Sequence, residues 1–463
     1  MHLLIIGGSD AGISAALRAH ELDPGAEVTI AVADDFPNFS ICGLPYYLSG
    51  ETPDWRDLAH RTEFPGINVL RQHTAASVDV ARKSVAIKIA AGEKIVRYDR
   101  LIVATGATPI RPNLPGGALD GVFLLHTMDD SFAVHRHLTE HQAESAVLVG
   151  AGYIGLEMAD ALKQRGLDVT LLSRSKTVMP TIDPALGLMV GEELERNGVR
   201  VLTNVSAMRI DQAADGKQSQ LSVTDSAGGQ HPADLVIFAV GVRPNSDLAH
   251  SAGAKLGASG AIAITRRMET NLSDVFAAGD CVETYHRLLD RPTYISLGTI
   301  AHKQGRVAGE NAIGGDWQFA GALGTRSIKV FNLAIARTGL LDHVARSGEF
   351  NPLTAATEAN DHKAYYPGAV PLHILMSGDR ATGRLLGAQI LGPRKAEISK
   401  RIDIVAAALF QNAAVEDLND MDLSYTPPFS SPWDPIQMAA QTWVVATRDA
   451  ARSNQVGMDE TAA

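Results

Sequence analysis

The sequence predicts an α/β protein: two parallel-sheet nucleotide folds and a separate C-terminal α+β domain. Three observations predict it. The apolar run Leu3-Leu4-Ile5-Ile6 passes into the glycine turn Gly7-Gly8-Ser9-Asp10-Ala11-Gly12 and then an alanine-rich helical stretch. The same order recurs in Ala146-Val147-Leu148-Val149, the turn Gly150-Ala151-Gly152-Tyr153-Ile154-Gly155 and a second helical stretch. Beyond about residue 320 such turns thin out and no third nucleotide loop follows.

In the first unit the helix is expected from Ile13 to about Leu22 and the next strand over 28–32. Strand, turn, helix, strand is a parallel βαβ unit, here of Rossmann-like dinucleotide-binding type. Such a loop needs glycine for its tight turn, for close approach of backbone to a pyrophosphate, and for packing helix on strand. The helix N-terminus then offers free N–H groups to phosphate. Gly150, Gly152 and Gly155 match that spacing fully; in the first loop Gly7 and Gly12 match and Ser9 takes the middle place. Val32 stands where an acid would receive ribose hydroxyls, and Asp34 and Asp35 follow at once as substitutes.

The second unit's second strand ends in Leu172-Ser173-Arg174-Ser175-Lys176. No acid is present for a 2′-hydroxyl, and two cations with two hydroxyls are ready for a 2′-phosphate, which predicts NADPH over NADH. The alternative is that Arg174 and Lys176 are solvated loop charges. Two further apolar strands end in Ala104-Thr105-Gly106 and in Gly241-Val242-Arg243-Pro244. These signals divide the chain into 1–112 and 245–320 for the first nucleotide domain, 113–244 for the second and 321–447 for the α+β domain. Residues 448–463 are polar without periodicity and read as a flexible tail.

A chain of 463 residues is too long for one core. Its net charge of −11 disfavours nucleic acid and anionic membrane surfaces. No basic leader and no apolar run of about 18 residues is present, so a cytoplasmic enzyme without a membrane partner is expected. The two cysteines, Cys42 and Cys281, exclude a disulfide framework, and the histidines show no ligand spacing, so no metal is expected. Cys42 follows the first βαβ unit at a predicted helix start, where the dipole favours thiolate. Cys281 reads as packing.

At this point the residues resemble the flavoprotein pyridine nucleotide-disulfide oxidoreductases, in the single-cysteine branch of coenzyme A-disulfide reductase, NADH oxidase and NADH peroxidase. The resemblance rests on Ala104-Thr105-Gly106, on Val275-Phe276-Ala277-Ala278-Gly279-Asp280, on Ala301-His302-Lys303-Gln304-Gly305-Arg306, on Lys400-Arg401-Ile402-Asp403 and on Phe39-Ser40-Ile41-Cys42-Gly43-Leu44-Pro45-Tyr46-Tyr47. It implies FAD in the first domain, with Gly279 and Asp280 at the ribityl chain, NADPH or NADH in the second, and a homodimer formed through the third. Cys42 would be the redox centre. Tyr425 and the pair Tyr365 and Tyr366 would assist it, Tyr153 would cover the flavin, and Glu157 would sit near the carboxamide. Arg18, Phe39, Arg71 and Trp433 would shape the substrate site, although Glu21, one turn beyond Arg18, is ill suited to coenzyme A phosphates. The implied activity is reduction of a small thiol disulfide, persulfide or polysulfide. Rival readings are an NAD(P)H oxidase or peroxidase, against which Asp10 argues because those members carry histidine there, and an electron-transfer reductase serving a protein.

Overall fold

The computed structural model describes residues 1–212 and 220–461, with side chains up to residue 450. The first unit runs β1 (His2–Ile6), α1 (Asp10–Leu22), β2 (Glu27–Ala31), α2 (Leu44–Ser49), β3 (Ile67–Leu70), an antiparallel sheet of β4 (Thr74–Asp79), β5 (Ser84–Ile89) and β6 (Gly92–Arg97), then β7 (Arg100–Val103). The chain leaves through β8 (Ala107–Pro109). The second unit holds β9 (Val122–Phe123), α3 (Met128–Glu140), β10 (Ser145–Val149), α4 (Tyr153–Gln164), β11 (Asp168–Leu172), α5 (Pro184–Arg196), β12 (Val199–Leu202), the small sheet β13 (Ala207–Gln212), β14 (Leu221–Asp225) and β15 (Gln230–Ala233), and β16 (Leu235–Phe238). Its main sheet has the order β12-β11-β10-β16-β9 and is parallel throughout.

The chain returns through β17 (Val242–Pro244), which pairs antiparallel with β8. After α6 (Asp247–Ser251), β18 (Val275–Ala277) adds to the first sheet beside β7, giving the parallel order β18-β7-β1-β2-β3. The hairpin β19 (Thr284–His286) and β20 (Arg291–Thr293) follows, then α7 (Gly298–Ala312). The strands β1, β7, β10 and β16 are apolar runs almost wholly buried, as a parallel sheet covered on both faces requires.

The last unit is an antiparallel sheet of β21 (Arg326–Val330), β22 (Leu333–Gly339), β23 (Pro352–Asn360), β24 (Pro371–Asp379) and β25 (Leu385–Pro393), ordered β21-β22-β25-β24-β23. With it go α8 (Asp342–Ser347), α9 (Ile398–Phe410) and α10 (Pro435–Thr461). Ile436, Ala439, Ala440 and Trp443 form the buried stripe of α10 at helical spacing. Past Arg448, where a tail is expected, α10 continues to Thr461; extending an established helix costs far less than starting one. Residues 462 and 463 of that expected tail lie outside the described residues. Among the described residues no helix is long and apolar enough to cross a membrane.

Helices α1 and α7 touch backbone to backbone. A Cβ on Gly305 would lie 2.2 Å from the Ala11 carbonyl oxygen, and one on Gly309 would lie 2.2 Å from that of Ala15. Only glycine allows this approach. Between them Gln304, fully buried, accepts from the Gly279 N–H at 3.0 Å and donates to Thr284 Oγ1 at 3.3 Å. Gly305→Ala must therefore push the helices apart. The expected cost is about 1–3 kcal/mol or more, read as a lower unfolding midpoint in denaturant; an unchanged midpoint would show that the contact is not tight.

Candidate active site

Both long helices that follow a glycine loop start without a side-chain cap: Ser9 before α1 and Gly152 before α4 make no capping bond. Their first N–H groups are left for a ligand. The loops are shaped by glycines that nothing else could replace. Gly7 and Gly150 hold φ of 113° and 111°. A Cβ on Gly12 would lie 1.9 Å from the Gly7 oxygen, and one on Gly155 would lie 1.9 Å from the Gly150 oxygen. A Cβ on Gly152 would meet nothing within 4 Å, so this loop faces open space. Both loops fit a dinucleotide pyrophosphate.

Asp34 stands just beyond β2, where it accepts from the Phe36 N–H at 2.8 Å, and burial holds its carboxyl above the usual range. Thr105 and Gly106 link the two sheets: Thr105 Oγ1 donates to the Asn245 carbonyl at 2.6 Å, and Asn245 Nδ2 returns a bond to the Thr105 carbonyl at 3.0 Å. Ala104 is buried, and Gly241 closes β16 with a φ of 115°. Gly279 presses on Ala11, which carries Asp280 toward α1. Burial and nearby Asp10 push the Asp280 carboxyl up to about 6. A half-desolvated acid with a single backbone donor fits a hydroxyl-rich ligand such as a ribityl chain.

Cys42 lies in a short turn, Ile41–Gly43, ahead of the six-residue α2. Its loop is anchored by an aromatic cluster: Phe39 packs tilted against Trp55 and edge-to-face with Phe36, ring centres 5.7 and 5.6 Å away, and Trp55 meets Phe132 at 5.4 Å. Phe39 thus packs inward as an anchor. The expected dipole activation of Cys42 meets opposing influences. Although solvent reaches the residue, surrounding protein pushes its thiol up, and Glu157, Asp10 and Asp280 add to that shift. A helix as short as α2 offers little dipole against three carboxylates. Cys281 is fully buried, its Sγ donating to the Ala278 and Val103 carbonyls, and it can reach no substrate.

Glu157, on α4, is itself pushed up to about 7, by burial first; the Tyr46 hydroxyl at 3.5 Å and Lys329 oppose this. Lys329 comes from β21 and ties α2 to α4 through Glu51 at 3.0 Å and Asp160 at 3.2 Å. Tyr153 lies under Arg326, 5.3 Å from ring centre to guanidinium, and its hydroxyl is buried without a partner. Tyr46, Trp55, Asn245 and Lys329 were not assigned from sequence; only Tyr46, inside the quoted cysteine motif, carried a signal.

The C-terminal candidates are brought together as an exposed aromatic surface. Tyr365, Tyr366, Tyr425, Phe429 and Trp433 are all solvent-exposed, and Tyr425 is hydrogen-bonded to Tyr365. Arg401 holds their two loops: buried on α9, it binds the Asp434 carboxylate and donates to the Asp361 carbonyl at 2.6 Å and the Phe429 carbonyl at 3.2 Å.

The cations divide. Arg18 is not free for phosphate: its guanidinium meets Glu310 at 2.7 Å and Glu21 at 2.9 Å. Arg71 is exposed at the end of β3. Arg306, which was not singled out, lies 5.9 Å from the Trp317 ring centre, and Arg18 lies 5.8 Å from it. At the end of β11 Ser173 is buried, while Arg174 and Lys176 are exposed and paired with no carboxylate among the described residues.

If Glu157 charge suppresses the Cys42 thiolate, Glu157→Gln must lower the pH at which Cys42 ionises. The rate of Cys42 alkylation by iodoacetamide against pH is expected to keep its form and move to lower pH, with several-fold faster alkylation near pH 8. A superimposable profile would remove Glu157 from the electrostatics of the thiol.

The pyridine nucleotide-disulphide oxidoreductase family model matches residues 1–305, and the dimerisation-domain model of the same family matches 325–435. The NAD(P)H sulfur oxidoreductase (CoA-dependent) of Pyrococcus abyssi is 35% identical over 442 residues, covering 95% of this chain and 97% of that one. The coenzyme A disulfide reductase of Staphylococcus haemolyticus is 29% identical over 444 residues, 94% and 98% of the two chains. The NAD-dependent persulfide reductase from A. fulgidus superposes with a TM-score of 0.92 at 33% identity, over 97% of this chain and 84% of that chain. The chain belongs to the pyridine nucleotide-disulphide oxidoreductase family, as an oxidoreductase that uses FAD and a nicotinamide nucleotide.

Proposed function

We propose that this protein is a homodimeric NADPH-dependent reductase of small thiol disulfides, persulfides or polysulfides, of the coenzyme A kind, and that Cys42 is its redox-active thiol. The observation that carries the reading is the placement of one accessible cysteine where the elements of both nucleotide loops converge: Asp10 and Asp280 from the first unit and Glu157 from the second all act on its sulfur. Relatives named as a CoA-dependent sulfur oxidoreductase, a coenzyme A disulfide reductase and a persulfide reductase support the substrate class.

Gly7, Ser9, Gly12, Asp34, Ala104, Thr105, Gly106, Gly279 and Asp280 are assigned to FAD. When bound, FAD supplies two-electron exchange between the nicotinamide and the cysteine sulfur. Gly150, Gly152, Gly155 and Gly241 are assigned to the nucleotide backbone, and Ser173, Arg174 and Lys176 to the 2′-phosphate. Tyr153 and Glu157 line the nicotinamide side.

The Cys42 thiolate attacks one sulfur of the substrate disulfide. A bond forms between the Cys42 sulfur and that sulfur, the substrate S–S bond breaks, and the other half leaves as thiolate. Two electrons from NADPH then cleave the mixed disulfide and return Cys42 and the second thiol. The leaving thiolate needs a proton or a hydrogen bond, and the exposed hydroxyls of Tyr425, Tyr365 and Tyr366 are suited to give it across a dimer interface. Trp433, in the same surface, packs against the substrate. Among the basic side chains, Arg71 and Arg306 suit substrate phosphates better than Arg18, whose charge is already met.

An anaerobic NADPH titration of wild type and Cys42→Ser tests the thiol role. Wild type is expected to take up two electrons before its flavin absorbance bleaches, and the variant to bleach from the first equivalent. Identical titrations would transfer the reading to an electron-transfer reductase that needs no cysteine. The nucleotide preference has its own test. Replacing both Arg174 and Lys176 by Ala is expected to raise the KM for NADPH about tenfold, in line with about 1.5–3 kcal/mol for a charge-assisted hydrogen bond reduced by solvent exposure. The KM for NADH should hold. Equal effects on both nucleotides would return these side chains to solvated loop charges.

A further inference from the structure

Three arginines from two parts of the fold meet in a cavity of about 280 Å3 between the β19–β20 hairpin and the dimerisation domain, away from the residues assigned above. Arg266 and Arg287 come from the first unit, and Arg384 from the turn before β25. Each is laid on an aromatic ring: Arg266 on Tyr285 at 4.7 Å, Arg287 on Phe410 at 4.0 Å and Arg384 on Phe350 at 5.6 Å. Backbone and amide oxygens hold one edge of the Arg266 and Arg384 forks, and Arg287 is held through all three of its nitrogens. Arg266 Nε donates to Phe319, Arg287 donates to Phe410 and Ala320, and Arg384 Nη2 donates to Asn412 Oδ1. The Nε of Arg384 is buried with no partner.

No carboxylate pairs with any of the three among the described residues. Asp290 is the one acid in the lining, and it accepts from the Tyr285 hydroxyl. Asp290 offsets one of the three positive charges, which leaves the lining with a net positive charge for an anion to meet. Stacked on rings and tethered, the guanidiniums are pre-organised, which lowers the entropy of binding a ligand. The free edges of Arg266 and Arg384 match phosphate oxygens, which guanidinium forks bind in pairs, and Arg287 adds a fixed positive charge. Ligand pockets start near about 300 Å3, so this one suits a small ligand with a high charge density. We propose that the cavity is a binding site for a diphosphate anion, either inorganic pyrophosphate or the diphosphate of a nucleotide, seated across the boundary of the first unit and the dimerisation domain. This assignment is independent of the thiol chemistry at Cys42.

The test is titration calorimetry of the FAD-loaded dimer with inorganic pyrophosphate and, separately, ADP, with the arginine variants below separating this cavity from the nicotinamide nucleotide loop. Saturable binding of at least one probe with a Kd of about 1 mM or tighter is expected. Arg384→Gln and Arg266→Gln change walls from the two different units, and each is expected to weaken that binding tenfold or more, with Arg384→Lys, which keeps the charge and loses the fork, falling between wild type and Arg384→Gln. If Arg384→Gln fails to fold, Arg266→Gln carries the comparison. Absence of saturable binding by both probes in wild type, or binding unchanged in the folded glutamine variants, overturns the proposal.

Discussion

The contact on which the rest of the site depends is the one between α1 and α7. Gly305 and Gly309 bring the two backbones so close that a methyl group on either would collide with a carbonyl oxygen. That approach places Gly279 against Ala11 and lets the buried Gln304 grip the Gly279 N–H. The uncapped start of α1 and the carboxyl of Asp280 are therefore fixed relative to each other, although some 270 residues separate them in sequence. Alanines on the buried face of α1, Ala11, Ala15, Ala16 and Ala19, serve the same end: small side chains keep the helices near.

With the loops fixed, electrostatics decides the state of the thiol. A helix terminus contributes about 0.3–1 kcal/mol to a nearby anion. Burial and three carboxylates act in the other direction at Cys42. The strongest of the three carboxylate effects, that of Glu157, is adjustable. Its carboxyl titrates near about 7, so its charge changes across the physiological range and the acidity of Cys42 is coupled to it. Lys329, reaching from the dimerisation domain to Glu51 and Asp160, sets that balance and binds the domain to the site at the same time.

The dimerisation domain contributes its aromatic surface through a buried ion pair. Arg401 and Asp434 lie under the two loops that carry Tyr365, Tyr366, Phe429 and Trp433. Such a pair gives little net stability, since desolvation offsets much of the attraction. Its use is positional: guanidinium donors fix two loop carbonyls at once. Large aromatic side chains left exposed on a rigid support are what an interface requires, because they bury much area at little cost in side-chain freedom.

The sequence by itself determined the two nucleotide units, the change of architecture past residue 320 and the candidate cysteine. These signals are local: strand periodicity, glycine at fixed offsets and a helix start lie within about thirty residues. What only the tertiary structure decided is the electrical surroundings of those residues. Arg18 looks free in sequence, yet Glu310 reaches it from the far end of α7. Cys42 looks activated by a helix, yet residues 10, 157 and 280 surround it with acid. The polar stretch after Arg448 has no apolar periodicity to announce a helix, yet α10 runs on to Thr461. Coulomb and desolvation energies depend on distance and burial in space, which residue type and spacing along the chain do not encode.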